Sequence, residues 1–182
     1  LALCTSNLPA VAVTPSEHFN TVLYTGDDGT DNNITGVGFQ PDLVWMKPRN
    51  LADNHRLIDA VRTDAYELKA NATTADATSY LDIDSDGFTL TTTDNGWNSS
   101  SYNYVAWNWN CPTTFTPTVT SGLTSASGRS NADAGFSIVK VTADASIDND
   151  SSYTHNLGVV PEMIITKITN STGAWNTYHK DL

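Results

Sequence analysis

Three aspartates at alternate positions are the clearest candidate for a metal site. Residues 82–87 read Asp-Ile-Asp-Ser-Asp-Gly, which matches the first six positions of a calcium-binding loop. Alternate carboxylates on a tight turn can converge on one hard cation, so Asp82, Asp84 and Asp86 are the candidate calcium ligands. The twelfth position of such a loop is Thr93 rather than a bidentate glutamate. The alternative is a hairpin whose aspartates cap backbone N–H groups.

Aromatic side chains are the second group with recognisable chemistry, because flat amphipathic rings stack on sugar rings. Residues 102–109 alternate two sets of side chains, so a strand there would place each set on its own face. The tryptophans of this stretch are the better candidates for the core, which leaves Tyr102 and Tyr104 facing outward. Trp45 alternates with Leu43 and is also predicted to lie in the core.

Two more tryptophans lie at turn-like positions, which are compatible with solvent exposure. Trp97 follows an Asn-Gly pair, and Trp175 lies two residues after a glycine. Packing in the core or at its rim is the alternative for each aromatic residue. The candidate glycan-binding residues are Trp97, Tyr102, Tyr104 and Trp175.

The sequence lacks the motifs of the common hydrolases. It contains neither Gly-x-Ser-x-Gly nor His-Glu-x-x-His, and no histidine lies beside a serine or cysteine elbow. Carboxylate pairs are abundant, but none belongs to a recognisable glycosidase motif. We therefore expect no enzymatic activity. An exopolysaccharide depolymerase would need a catalytic carboxylate pair in a groove.

The charge of the chain excludes one large class of partner. The 182 residues include 20 acidic and 9 basic side chains, a formal net charge of −11. A negative field of this size repels phosphates, which excludes a nucleic-acid partner. No apolar stretch approaches the ~20 residues that a membrane span requires.

Short runs of β-branched and aromatic residues, separated by turn residues, must position these side chains. Residues 42–47 and 102–109 are typical of strands, and Asp-Gly at 86–87 and Asn-Gly at 95–96 are typical of turns. Residues 59–71 are the only helix candidate, and a pair of strands fits them as well. The pattern predicts an all-β chain.

Parts of the sequence recur at an offset of 120 positions. Residues 38–47 (GFQPDLVWMK) and 158–167 (GVVPEMIITK) share glycine, proline, an acidic residue, an apolar run and lysine in register. Residues 55–59 align with 175–179 at the same offset. We interpret the chain as one whole β repeat followed by part of a second.

The predicted organisation has four parts. They are an extended N-terminal arm (1–18), a first β-sandwich repeat (19–110), a Thr/Ser-rich linker (111–135) and an incomplete second repeat (136–182). A β unit that lacks half its strands has exposed edges and an open core. We therefore expect the natural polypeptide to continue beyond Leu182.

Two cysteines bracket the first large block of the chain. Cys4 and Cys111 are too few for a disulfide framework or for a zinc site, which needs four converging ligands. Two alternatives stay open: a disulfide that closes the block, and two separate thiols.

The chain resembles a repeat domain of bacteriophage virion proteins. The first copy carries this resemblance in residues 4–9, 19–26, 34–47, 84–90 and 104–109, and the second in residues 135–139, 157–161 and 175–179. Such domains are similar to parts of tail fibres or other appendages, often beside concanavalin-like or SPRY-like sandwiches. The resemblance implies an antiparallel β-sandwich of jelly-roll or lectin-like type on the virion surface. It brings no catalytic or binding residues to transfer.

Two functional hypotheses follow. The first is a non-enzymatic structural protein of a tail fibre or other appendage, assembled with copies of itself or with other virion proteins. It would attach to host surface polysaccharide, with weak glycan binding amplified by multivalency. The alternative is a secreted bacterial lectin-like or adhesin module with calcium-stabilised loops.

Overall fold

The structure is a computed structural model that describes residues 13–146, 148 and 150–182. The prediction of an all-β chain is confirmed: these residues form antiparallel strands and one 3-10 turn, Pro15–Glu17. The strands are β1 Phe19–Thr25, β2 Asn32–Thr35, β3 Leu43–Pro48, β4 Arg56–Asp59, β5 Tyr66–Lys69, β6 Ala77–Thr78, β7 Leu81–Asp84, β8 Gly87–Leu90, β9 Asn103–Trp109, β10 Thr113–Phe115, β11 Leu123–Asn131, β12 Phe136–Ala143, β13 Met163–Thr166 and β14 Asn176–His179. No helix among the described residues has the length and apolar character needed to cross a membrane.

The first nine strands form two sheets that share one core. The larger sheet has the order β1-β9-β3-β4-β5-β6, and the smaller has the order β2-β8-β7. Both sheets contribute to the core: Val44 and Met46 come from the larger, Phe88 and Leu90 from the smaller. This arrangement is a β-sandwich. The helix candidate at 59–71 instead contains the end of β4, the turn after it and the whole of β5.

Strand β9 is the last strand of the sandwich in the chain, yet it lies inside the larger sheet. It pairs with β1 from Phe19↔Trp109 to Thr25↔Asn103, and with β3 from Leu43↔Trp109 to Pro48↔Tyr104. Seven paired residues against β1 and six against β3 hold it along almost its whole length. The larger sheet is therefore continuous only when β9 lies between β1 and β3.

The predicted orientation of β9 is wrong. Tyr104 is fully buried in the core, whereas Trp107 and Trp109 lie half-buried on the opposite face. The Tyr104 ring stacks on Tyr24 at 4.8 Å, and its hydroxyl donates a hydrogen bond to the Asn95 carbonyl at 2.7 Å. Burial of the Tyr104 hydroxyl costs little free energy, because the hydroxyl has hydrogen-bond partners within the protein. Trp45, also predicted to be in the core, is half-buried on the same outer face as the other two tryptophans.

A charged cluster lies on the core side of β4. The Arg56 guanidinium donates to both carboxylate oxygens of Glu67, at 2.8 and 3.0 Å, and to Asp53 at 3.0 Å. Its carbon lies 4.5 Å from the centre of the Trp97 ring. Arg56 and Glu67 are both buried, so each charge relies on the other for compensation.

The remaining strands form a three-stranded sheet, β10-β11-β12, and a hairpin, β13-β14. Residues 111–135, which the composition predicts to be an extended linker, therefore contain β10 and β11. Strand β11 is rich in serine and threonine, but it pairs with β12 from Leu123 to Asn131. Backbone pairing, which composition does not report, makes it a strand.

Asp42, just before β3, joins the sandwich to this second region. Its carboxylate pairs with Arg129 of β11 and accepts a hydrogen bond from the Cys111 N–H at 2.6 Å. Burial raises the pKa of Asp42, against the opposing effects of that N–H and of Arg129. Burial also raises the pKa of the Cys111 thiol to about 12. Cys4 lies outside the described residues, so the choice between a disulfide and two separate thiols stays open.

Candidate functional site

The outer face of the larger sheet carries the three tryptophans that the core excludes. Strand register sets their positions, because Thr21, Trp107, Trp45 and Leu57 occupy one row across β1, β9, β3 and β4. The Trp45 and Trp107 rings meet edge to face with centres 5.9 Å apart. We call Trp45, Trp107, Trp109 and Phe19 the aromatic face.

His55 lies at one side of the aromatic face. The indole N–H of Trp45 donates to His55 Nδ1 at 2.9 Å, and the two rings meet edge to face. Burial, and then the positive charge of Lys47, lower the pKa of His55 below its ordinary value of 6.5. An unprotonated Nδ1 is the form that can accept this hydrogen bond, so geometry and electrostatics favour the same neutral state.

A cleft opens where the aromatic face meets the second sheet. It has a volume of about 360 Å³. Trp109 lines the cleft. The centre of its ring lies 4.9 Å from that of Phe19 and 5.9 Å from that of the near-parallel Phe136 ring. The complete lining is Val13, Pro15, His18, Phe19, Trp109, Asp133, Ala134, Gly135 and Phe136.

Two polar side chains reach this apolar cleft. His18 Nδ1 lies 2.7 Å from the side-chain amide of Asn131, which also donates to the Asn110 carbonyl at 2.9 Å. Asp133, which also lines the cleft, is exposed. Aromatic rings beside an accessible carboxylate suit a ligand that has both C–H faces and hydroxyl groups, because the rings stack and the carboxylate accepts hydrogen bonds.

The structure does not bring the predicted glycan-binding residues together. Trp97 and Tyr104 are 1% and 0% exposed, so the expectation that they face solvent is wrong. Tyr102 is half-buried against the core. Trp175 is also half-buried, and its indole N–H donates to the carbonyls of Lys69 and Ala72. The four side chains form no common surface.

The phenylalanines of the cleft were missed by sequence reasoning, although a signal for them was present. Phe19 and Phe136 begin β1 and β12, the first strands of the two similar segments. The chain brings both strand starts to Trp109 at the end of β9. The predicted repeats, 19–110 and 136–182, begin at these two residues, but the sequence does not show that the two rings meet.

The predicted calcium ligands serve the backbone and neighbouring side chains. Asp84 accepts hydrogen bonds from Thr89 at 2.7 Å and Asn33 at 3.2 Å. Asp86 accepts from the N–H groups of Gly36 and Gly38 at 3.1 and 2.6 Å. These contacts match the capping alternative.

The three aspartates do not converge on one point. Burial, then the charges of Asp64 and Asp84, raise the pKa of Asp82. Within the described residues, no group of three or more histidine, cysteine or acidic side chains is arranged to hold a metal ion. The geometry therefore does not support the predicted site at Asp82, Asp84 and Asp86.

Comparison with known proteins gives one match. A family model described as a domain of unknown function, DUF7483, matches residues 14–182, which include both the sandwich and the second region. No curated protein and no solved structure matches the chain.

Proposed function

The chain belongs to the DUF7483 family, whose function is unknown, and we propose that it is a non-enzymatic structural module of a phage tail fibre or other virion appendage. In this role it presents the cleft at Trp109 to glycans on the host surface. The resemblance to virion repeat domains supports the location, and the cleft supports the contact.

The cleft is the observation that carries glycan contact. Trp109, Phe19 and Phe136 bring aromatic carbon to the cleft for the C–H side of a sugar, and Asp133 offers an exposed acceptor for its hydroxyl groups. An open cleft of about 360 Å³ suits one or two sugar units rather than a deeply enclosed ligand. Affinity from such a site is weak for one copy and rises when copies are arrayed on a particle.

The connection between the two regions supports a structural role. Asp42 is buried and binds both Arg129 and the Cys111 N–H, so the second region is held by charged and backbone contacts as well as by the chain. The Asn131 amide adds a bond to the Asn110 carbonyl at the same junction. A firmly joined pair of units is the property that an extended appendage requires.

Glycan arrays with the chain displayed on multivalent beads test the contact. The expected result is binding to a subset of bacterial surface polysaccharides. Trp109→Ala should reduce it about 5- to 30-fold, because stacking on one aromatic ring contributes roughly 1–2 kcal/mol. Tyr66→Ala removes an exposed aromatic ring that does not line the cleft and should leave binding unchanged. Equal binding by both variants would remove the cleft from the proposal.

Adsorption of the particle tests the location. Antibodies raised against the chain should label an appendage in electron micrographs and reduce adsorption to the host. Labelling of the bacterial cell surface, in the absence of particles, would instead favour the secreted adhesin. The loop at Asp82, Asp84 and Asp86 does not support the calcium-stabilised adhesin, because no group of three such ligands is arranged to hold a metal ion among the described residues.

A further inference from the structure

A second cleft opens at the junction between the sandwich and the second region. It has a volume of about 360 Å³, which lies within the range of small-molecule sites. We call it the Arg129 cleft, and its lining residues are Phe39, Gln40, Asp42, Asn110, Pro112 and Arg129. None of these residues lines the cleft at Trp109, so the two clefts are distinct.

The Arg129 cleft offers more hydrogen-bond donors than acceptors. The Arg129 guanidinium has five N–H donors, and among the described residues its partner is Asp42 alone. Both carboxylate oxygens of Asp42 are already used, one by Arg129 and the other by the Cys111 N–H at 2.6 Å. The side-chain amide of Gln40 is exposed, has no partner within the described part of the chain, and adds two donors and one acceptor. The ligand that fits this cleft therefore supplies acceptor oxygens.

The charge balance of the cleft disfavours an anionic ligand. Asp42 compensates the charge of Arg129, and the other four lining side chains are uncharged. The chain as a whole has a formal net charge of −11, so its field repels carboxylates and phosphates. The acceptor oxygen of the ligand is therefore expected on a neutral group, such as an amide carbonyl.

Apolar surface lies beside these donors. Phe39 is half-buried and Pro112 is exposed, and both line the cleft. An acetamido group combines a carbonyl acceptor, an N–H donor and a methyl group, so it matches the donors, the Gln40 acceptor and the apolar surface at once. A hydroxyl group can accept from the same donors, but it brings no methyl group to the apolar surface.

The loop that carries Phe39 and Gln40 is held in place by the protein itself. The Asp86 carboxylate accepts hydrogen bonds from the N–H groups of Gly36 and Gly38, at 3.1 and 2.6 Å. Both glycines have a left-handed backbone, with φ of 86° and 89°. A cleft whose loop is fixed in this way binds a ligand without a large cost of ordering.

We infer that the Arg129 cleft is a second sugar site, and that it takes a neutral, N-acetylated amino sugar of the host glycan. This inference rests on the proposed function and names the class of sugar unit that the glycan contains. Arg129 donates to the acetamido carbonyl, and Gln40 bonds to the acetamido N–H or to a neighbouring hydroxyl group. The methyl group packs against Phe39 and Pro112.

Titration of the isotope-labelled 182-residue chain, followed by NMR, tests the inference. The probes are the methyl glycosides of N-acetylglucosamine and N-acetylgalactosamine, of glucose and galactose, and of glucuronic acid. Gln40 is the sole glutamine of the sequence, so its side-chain amide reports on the Arg129 cleft, while the Trp109 indole N–H reports on the other cleft. We expect the N-acetylated probes to shift the Gln40 resonance and to bind about 5-fold more tightly than the plain hexosides, because the acetamido carbonyl adds a hydrogen bond.

Two variants separate direct contact from a general effect on the chain. Gln40→Ala removes one polar contact and should lower the affinity for the N-acetylated probes, followed at the side-chain N–H of Arg129, about 5-fold. Asn170→Ala removes an exposed amide that lines neither cleft and should leave that affinity unchanged.

The two reporters distinguish failure of the inference from failure of the proposed function. Shifts at Trp109 without shifts at Gln40 would leave the sugar contact of the proposed function in place and overturn the inference. Equal affinity for N-acetylated and plain probes, tighter binding of the glucuronide, or equal affinity of the two variants would overturn it as well. The expected preference at Gln40 with no shift at Trp109 would support the Arg129 cleft and remove the Trp109 cleft from the proposed function. Shifts at neither reporter would overturn both.

Discussion

The Arg56 cluster gives the sharpest test of what stabilises the sandwich. Replacement of Arg56 by methionine keeps much of the apolar length of the side chain but removes its charge. Glu67 is then left with 5% of its side chain exposed and without its two short bonds from the guanidinium. Only the Nζ of Lys69, at 3.8 Å, remains nearby as a compensating charge.

The expected cost follows from the burial of both partners. Loss of one member of a buried ion pair destabilises a protein by about 3–5 kcal/mol, because the remaining charge is uncompensated. The contact of Arg56 with the Trp97 ring adds about 1–2 kcal/mol. Partial compensation by Lys69 acts in the opposite direction, so we expect a net loss of about 4 kcal/mol. In a chain of this size the corresponding fall in Tm is on the order of 10 °C.

Urea unfolding, followed by tryptophan fluorescence and circular dichroism, measures this loss. Lys180→Met is the matched control, because it removes an ion pair with Glu162 in which both side chains are largely exposed. That variant should lose less than about 1 kcal/mol. The double variant Arg56→Met with Glu67→Leu should recover at least half of the loss, because it also removes the buried Glu67 charge and leaves only the partly exposed Asp53 carboxylate without its partner. Equal stability of Arg56→Met and Lys180→Met would refute the reasoning.

Three further predictions concern single positions. Because the pKa of His55 is lowered in the folded chain, the unfolded chain binds the proton first as the pH falls below 6.5, and the free energy of unfolding declines. In urea titrations, His55→Gln should therefore lose less unfolding free energy between pH 7.5 and 5.5 than the unaltered chain. An identical loss in the two chains would contradict the role of His55. Gly87→Ala would place a Cβ 1.9 Å from a backbone oxygen of β2 at a φ of 147°, and should lower the unfolding free energy by about 2–4 kcal/mol. Gly135→Ala, where no atom lies within 4 Å of the new Cβ, should cost about 1 kcal/mol, and a reversed order in thermal melts would contradict the geometry. Cys111 is buried with a pKa of about 12, so peptide mapping after iodoacetamide treatment at pH 8 should find it unmodified in the native chain. Rapid labelling of the native chain would contradict this prediction, because it would show that Cys111 becomes exposed to solvent.

The all-β class and a strand at residues 102–109 were predictable, but which face of that strand is buried was not. Hydrophobicity favours the tryptophans as the buried set, yet the structure buries Tyr104 and Asn108. The Asn108 amide donates to the carbonyls of Asn20 and Ala106, and Tyr104 bonds to the Asn95 carbonyl. A carbonyl that accepts from the Asn108 amide across 88 positions of the chain leaves no mark in the local alternation.

The cleft was unpredictable for a related reason. The alternation within residues 102–109 predicts that Trp109 lies in the core, and the recurrence in the sequence predicts that a second repeat starts at Phe136. Their contact depends on β12 lying beside the end of β9, which the pairing of β11 with β12 and the Asp42–Arg129 ion pair bring about. Composition predicts a linker where the structure has β11. The contact between Trp109 and Phe136 could therefore not be derived from composition.

The position of β9 also has a consequence for biosynthesis. Thr25 and Asn103 are register partners although 78 positions separate them. At roughly 5–20 residues per second, a ribosome needs about 4–16 s to make the chain between them. During that interval β1 has no partner, and β3 has β4 alone. The nascent sandwich is therefore an open sheet until its last strand emerges, and this is the window in which chaperones or neighbouring nascent chains compete for its edges.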